Sequence, residues 1–232
     1  MAVAIITGAS RGFGRALAAG LAGRGWDLVL DARNAAPLEE AAARLAGHGG
    51  KVRAVPGDVT DGGHRAALVA AAQELGGLDL LVNNAGVLGV EPLVPLEELP
   101  ADAFRRALEV NVVAPLALVQ EALPLLRRAP AGAVVNLTSD AATEAYRTWG
   151  GYGATKAALD QVSAVLAVEE PELRVWAVDP GGMRTEMLAA AEPDEDLSEV
   201  PRPEDVVPAF VRLLDERPAS GRYAAPALLE VR

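Results

Sequence analysis

Apolar and polar positions along the chain fall into two alternating rhythms. Short runs dominated by Val, Ile, Leu and Ala occur at 2–7 (AVAIIT), 27–31 (DLVLD), 51–55 (KVRAV), 78–83 (LDLLVN), 133–138 (AVVNLT) and 173–178 (LRVWAV). Near-continuous apolar runs of this length are what strands covered on both faces require. Between them, at 12–24, 36–46, 61–75, 102–128 and 152–169, apolar residues recur at helical spacing. This alternation predicts right-handed βαβ crossovers and an α/β fold of the Rossmann type, a doubly wound parallel sheet of about seven strands flanked by helices. No linker, repeat or low-complexity block interrupts 1–232, so one domain is expected. The last segment, SGRYAAPALLEVR, is a candidate seventh strand that Pro226 confines to an edge or ends. Pro115, inside the 102–128 segment, cannot donate to the carbonyl of residue 111 and should bend that helix.

Composition narrows the partners. With 51% hydrophobic residues but only 4% aromatic, the core is built from Ala, Val and Leu. A formal net charge of -11 argues against nucleic acid and anionic membrane surfaces, which call for basic patches. Cysteine is absent, which removes disulfides and thiolate chemistry. His48 and His64 lie in polar segments expected at the surface, and no metal site is expected. MAVAIITGAS lacks a cationic leader region, and no apolar run reads as a membrane span, so a cytoplasmic location is expected.

Four groups of residues carry chemistry. TGASRGFG (7–14) stands where the first strand hands over to the first helix. Gly8, Gly12 and Gly14 permit a tight turn, and the free N–H groups of the following helix attract phosphate. At the end of the second strand, in DLVLDARN, Asp31 would suit the ribose 2′-hydroxyl of NAD, and Arg33 the 2′-phosphate of NADP. Arg11 adds a second cation near the same place, which tilts the choice toward NADP with NAD still possible. NNAG (83–86) ends the fourth strand, at the carboxyl edge where open α/β sheets bind ligands. Finally, Tyr152 begins a helix with Lys156 four residues on, along the same face. A phenol near pKa 10 needs stabilisation of its anion to work near neutrality, and an ammonium and a helix N-terminus both supply it. Ser139, at another strand end, is placed to hydrogen-bond the same reacting oxygen. Tyr146 has no lysine at helical spacing.

Together these motifs make the chain resemble a short-chain dehydrogenase/reductase from residue 1 to about 223. TGASRGFG matches the family's T-G-x-x-x-G-x-G, and NNAG its strand-four signature. The resemblance implies cofactor contacts from Gly8, Ser10, Arg11, Gly12, Phe13, Gly14 and Arg33. It implies further contacts from Asp58 and Val59 of GDV, where the aspartate meets adenine, and from Asn84, Ala85 and Gly86. DPGGMRT (179–185) matches P-G-x-x-x-T beside the nicotinamide, which brings in Pro180, Gly181, Met183 and Thr185. Ser139, Tyr152 and Lys156 match the catalytic serine and Y-x-x-x-K, and Asn111 the fourth catalytic position. In NADP-preferring members an arginine follows the position where NAD users carry aspartate, and here that pair is Ala32 and Arg33.

The implied activity is hydride transfer between NADP(H) and a small carbonyl or alcohol. Tyr152 would move the proton, with its pKa lowered by Lys156, which also holds the ribose and so contacts the cofactor as Tyr152 does. Ser139 would orient the substrate oxygen, and Asn111 would hold a relay water. The segment EMLAAAEPDEDLSEVPR stands where the family carries its substrate lid, and its acidity disfavours acyl-carrier-protein and CoA thioesters. Short matches such as TGASRGFGR and EEPELRV are similar to the sepiapterin reductase branch, so pterin ketones are an alternative substrate class. A non-catalytic NADP sensor or scaffold is the other alternative. In this family the helices at 102–128 and 152–169 pair across a two-fold axis, which implies a homodimer or homotetramer.

Overall fold

The computed structural model describes residues 1–230; Val231 and Arg232, which end the last predicted segment, lie outside the described residues. Seven parallel strands form one sheet in the order β3-β2-β1-β4-β5-β6-β7. They are β1 (Val3–Ile6), β2 (Asp27–Ala32), β3 (Val52–Pro56), β4 (Leu80–Asn83), β5 (Ala133–Leu137), β6 (Arg174–Asp179) and β7 (Gly221–Ala224). The order reverses between β1 and β4, and that switch opens a crevice at the carboxyl ends of the strands. All four residues of β1 and β4 are buried, which is why both read as unbroken apolar runs.

Helices α1 (Gly12–Ala22), α2 (Ala35–Arg44) and α8 (Pro203–Glu216) cover one face; α3 (Gly62–Leu75), α5 (Ala114–Leu126) and α6 (Gly150–Glu169) cover the other. Two apolar layers result, one around Leu17, Leu30, Trp176 and Phe210, the other around Ile5, Leu81, Leu126 and Val134. Phe13 of α1 and Phe210 of α8 meet with ring centroids 4.5 Å apart. Cutting Phe210 back to alanine would cost about 3–5 kcal/mol at such a site. The shorter helices are α4 (Ala101–Leu108), α7 (Glu186–Ala191) and α9 (Ala225–Glu230).

Four features differ from the sequence expectation. Helix α8 is not prefigured by the helical spacing identified above, although Val206, Phe210 and Leu213 form its buried stripe behind Pro203 at the first turn. The seventh strand lies at the sheet edge, as Pro226 suggested, but it ends at Ala224, and Pro226 falls in the first turn of α9. The 102–128 segment is divided: α4 gives way to a π-turn over Glu109–Val113, where the Ala114 N–H reaches back to the Glu109 carbonyl, before α5 begins. Pro115 sits in the first turn of α5 and offers no N–H to Asn111, which accounts for a wider turn at this point. Taken as a unit, Ala101–Leu126 is long and apolar enough by length and composition to cross a membrane, contrary to the sequence reading. Its residues Leu118, Val119, Ala122, Leu125 and Leu126 are buried in the layer beneath the sheet, as a core helix requires.

Candidate active site

The first turn is built around Gly8 and Gly14. Gly8 has φ +66°, and a Cβ there would lie 3.0 Å from the Ala85 Cα. A Cβ on Gly14 would lie 2.5 Å from both the Gly8 carbonyl oxygen and the Asn84 amide nitrogen. Only glycine lets the two strand ends approach this closely. The joint is completed by Thr7, whose hydroxyl accepts from the N–H groups of Asn84 (3.0 Å) and Ala85 (2.9 Å) and lies 3.3 Å from the Val82 carbonyl. The Asn84 side chain donates back to the Thr7 carbonyl at 2.8 Å. The NNAG segment is thereby latched to the glycine turn.

A cleft of about 920 Å³ opens above this joint. Of the sequence-identified cofactor residues, Gly8, Ser10, Arg11, Gly12, Phe13, Arg33, Asp58, Val59, Asn84, Ala85, Gly86, Met183 and Thr185 line it. Gly14 lies buried beneath, and Pro180 and Gly181 stand outside the lining. Phe13 turns its ring into the core against Phe210.

At the β2 end the two competing residues have different fates. Asp31 is 1% exposed; one carboxylate oxygen lies 2.6 Å from His64 Nε2, and the other accepts from the Gly8 N–H at 3.3 Å. Burial pushes its pKa up, against the pull of His64. Arg33 is exposed and has no hydrogen-bond or ion-pair partner among the described residues. His64 corrects the expectation of a surface histidine: its ring is 8% exposed and inserted beside Gly57. Arg11, which lines the same cleft, pairs with Glu186 at the start of α7. Asp58 accepts from the Thr60 N–H and hydroxyl and from Arg106. Burial raises its pKa, but these bonds outweigh it and hold the carboxyl down to about 2.

None of the proposed catalytic residues Asn111, Ser139, Tyr152 and Lys156 is among the residues that line the cleft, so Tyr152 and Lys156, expected also as cofactor contacts, stand outside the lining. Asn111 and Lys156 lie close behind Gly86, which does line it. A Cβ on Gly86 would lie 3.4 Å from Asn111 Oδ1 and 3.8 Å from Lys156 Nζ. Asn111 is fully buried: its side chain accepts from the Val87 N–H and donates to the Val87 carbonyl and the Thr155 hydroxyl, each at 2.9 Å. Lys156 donates to the Leu137 carbonyl at 2.7 Å and sits 5.5 Å from the Tyr152 ring centroid. Ser139 donates to Asp140 at 2.9 Å, and Tyr146 donates to the other Asp140 oxygen at 3.0 Å. Tyr152 is buried against Leu88, Ala141 and the edge of Trp149, and its hydroxyl has no hydrogen-bond partner among the described residues.

The electrostatics depart from the sequence expectation. Burial, then the charges of Asp179 and Asp140, push the Tyr152 phenol up rather than down. Burial lowers Lys156 to about 8, so in this state desolvation outweighs any help the ammonium gives the phenol. Four residues not singled out by the sequence also hold the site together: Thr7, Asp140, Thr155 and Arg222, whose guanidinium bonds the Ser139 carbonyl at 2.9 Å. For Thr7 the signal was its place at the head of TGASRGFG; the others have no local signature.

Comparison with known proteins agrees with this geometry. The sequence model of the short chain dehydrogenase family matches residues 2–196. The chain is 32% identical over 219 residues to an oxidoreductase of Escherichia coli, YciK, covering 92% of this chain and 86% of that one. It is 35% identical to the cis-4-hydroxycyclohexanecarboxylate dehydrogenase of Sinomonas cyclohexanicum, over 99% of this chain and 94% of that one. A short chain dehydrogenase from Shigella flexneri, solved in complex with NADP, superposes with TM-score 0.91 at 30% identity, covering 97% of each chain.

Proposed function

We propose that this chain, which belongs to the short chain dehydrogenase family and is thus an oxidoreductase, is a single-domain enzyme that prefers NADP(H) and interconverts a small carbonyl compound and its alcohol. One observation carries the cofactor preference. Asp31 is committed to His64 and Gly8, while Arg33, two residues on, is exposed at the cleft and has no partner among the described residues. A guanidinium free to grip a phosphate, with the neighbouring carboxylate withdrawn, suits a 2′-phosphate better than a bare diol. The close-packed glycine turn fits a pyrophosphate, since a Cβ would fill the approach that Gly8 leaves open.

NADP(H), when bound, supplies or accepts the hydride. The chain's own groups manage the oxygen and its proton. Tyr152 gives its phenolic proton to the carbonyl oxygen in reduction and takes it back in oxidation. Ser139 turns its hydroxyl from Asp140 to orient that oxygen. Lys156 holds the cofactor's ribose and steadies the phenolate. Asn111 clamps the β4 end to α6 and places its main-chain carbonyl toward a relay water. Leu88, Leu93, Trp149, Ala190 and Ala191 give the substrate an apolar wall, and Asp140 and Asp179 make its surroundings acidic. That combination favours neutral or cationic substrates over carboxylates of the kind named for the Sinomonas relative. Exposed Val113, Leu116, Val165 and Val168 support a homodimer or homotetramer through α5 and α6.

The deciding experiment is an oxidation screen with NADPH and NADH over ketones, aldehydes, quinones and pterins. Turnover of at least one class, faster with NADPH, is expected. Turnover with NADH alone would overturn the cofactor reading, and cofactor binding with no turnover would favour a sensor.

A further inference from the structure

Three segments that meet at the proposed reaction centre are joined by one side chain from the edge of the sheet. Arg222, on β7, donates through Nη2 to the Ser139 carbonyl at 2.9 Å and reaches the Asp179 carboxylate at 3.5 Å. Through Nε it bonds Asp160 of α6 at 3.1 Å. Its two carboxylate partners are largely buried, with side chains 18% and 10% exposed, so these contacts are poorly screened by water. A guanidinium is a rigid planar fork, and contacts in two directions fix the mutual position of what it touches.

The placement of the two carboxylates matters. Asp160 follows Lys156 by one helical turn, and its charge acts on that ammonium. Asp179 ends β6, and its charge is the largest on the Tyr152 phenol after burial itself. The other groups facing Tyr152 are Lys156 from its own helix and Asp140 from the turn after β5. The 88–93 segment and α7 present Leu88, Leu93, Ala190 and Ala191 to it. Asp179 in turn faces Asp140, the Gly181 N–H and Arg222.

We propose that Arg222 is a positioning residue for the reaction: it anchors the Ser139 main chain and offsets Asp179 and Asp160, so that neither carboxylate acts at full strength on Tyr152 or Lys156. This rests on the reading of Tyr152 as the proton-transfer group. Without Arg222 the field of Asp179 at the phenol is stronger and its anion harder to form; without the charge of Asp179 the anion is easier to form.

The test is the pH at which NADP+-dependent oxidation of 1-phenylethanol reaches half its maximum. Arg222→Met should move it upward by roughly half a pH unit or more, and Asp179→Asn downward by a similar amount. Arg222→Lys, which keeps the charge and loses the fork, should restore the pH limb while leaving kcat several-fold low. A limb unmoved in Arg222→Met overturns the proposal, and Arg222→Gln, which also removes the charge, decides it if Arg222→Met does not fold; Asp179→Asn checks that Asp179 is the charge being offset. Tyr152→Phe separates the two readings: turnover retained there overturns the proton-transfer assignment, not the role of Arg222 in placing charge. If the alcohol is not turned over, urea unfolding between pH 8 and pH 10.5 decides instead. Asp160, freed of Arg222, should hold the Lys156 proton more tightly and flatten the wild-type rise in stability across that window. An unflattened rise overturns the proposal.

Discussion

Asp31 and His64 form a buried pair, 2.6 Å apart, beneath the rim of the cleft and thirty-three residues apart in the chain. The pairing engages the Asp31 carboxylate at the end of β2, while Arg33, at the same cleft, has no hydrogen-bond or ion-pair partner among the described residues. Arg33→Ala should therefore weaken NADPH about 10–100-fold and NADH by no more than about three-fold. Arg11→Ala should have a smaller effect, since Arg11 already has Glu186 as a partner. Fluorescence titration with both cofactors checks this; equal losses for the two would mean that Arg33 grips no 2′-phosphate.

Tyr152 and Tyr146 offer an internal control. The first is buried with its hydroxyl unbonded, the second is half exposed and bonded to Asp140. Tyr152→Phe should lower kcat about 10²–10⁴-fold while NADPH affinity stays within a few-fold of wild type. Tyr146→Phe should cost less than about ten-fold, because it removes one solvent-exposed hydrogen bond to the Asp140 carboxylate and leaves Tyr152 in place. Steady-state kinetics on a verified substrate, with the two variants side by side, distinguishes them.

Lys156 makes stability depend on pH in a defined window. Burial lowers its pKa from 10.5 to about 8 in the folded chain. Between those values the unfolded chain binds a proton that the folded chain has lost, so the contribution of Lys156 to stability should rise from pH 8 to 10.5, opposed only near the top of the window, where the raised Tyr152 phenol acts the other way. Below pH 8 the folded chain carries a constant cost on the order of 3 kcal/mol for burying the ammonium. Lys156→Met should abolish the rise, whatever it does to stability at neutral pH. Urea denaturation of the cofactor-free protein across that range is the measurement, and an identical slope in the variant would contradict the argument.

The apolar surface makes a prediction about assembly. Val168 is 81% exposed on α6, and Val165, Leu116 and Val113 are exposed with it on α6, α5 and the turn before α5. Light scattering at micromolar concentration should give at least the mass of a dimer. Val168→Asp with Leu116→Asp should release a folded monomer, since unpaired charge at the centre of an interface is strongly unfavourable.

What could be read from the chain alone follows from what is local. β1, β2 and β4 are covered on both faces, so their residues are nearly all apolar and visible without a partner strand. The glycine turn between β1 and α1, NNAG at the end of β4 and the Tyr152–Lys156 pair on α6 are each written within a few residues, which is why they show in the chain alone. Helix α8 was obscured by Pro208 in its interior, which breaks a pattern that Val206, Phe210 and Leu213 otherwise write clearly. The fate of Asp31 depended on a histidine two elements away, and a buried histidine in a polar segment has no signature of its own. Likewise Arg222, in a four-residue strand at the sheet edge, shows nothing in sequence of the carboxylates it meets. The raised phenol of Tyr152 is a property of burial and of Asp179, neither of which the Y-x-x-x-K spacing encodes.

The π-turn over Glu109–Val113 works as a frame shift in the helix. Each residue of an α-helix advances the side chains by about 100°, so one extra residue in a turn rotates everything after it relative to everything before. Asn111 sits inside that slip with its side chain turned to Val87 and Thr155, while α5 beyond it keeps Leu118, Ala122 and Leu125 against the sheet. A strictly regular helix through this stretch would satisfy one of those demands and miss the other. Deleting a single residue from 109–113 is therefore a different kind of lesion from substituting one. It would return the helix to even winding and swing the exposed valine and leucine of the α5 side into the core, at the same time pulling the amide of Asn111 off its partners. Length, more than residue identity, is what this segment must preserve.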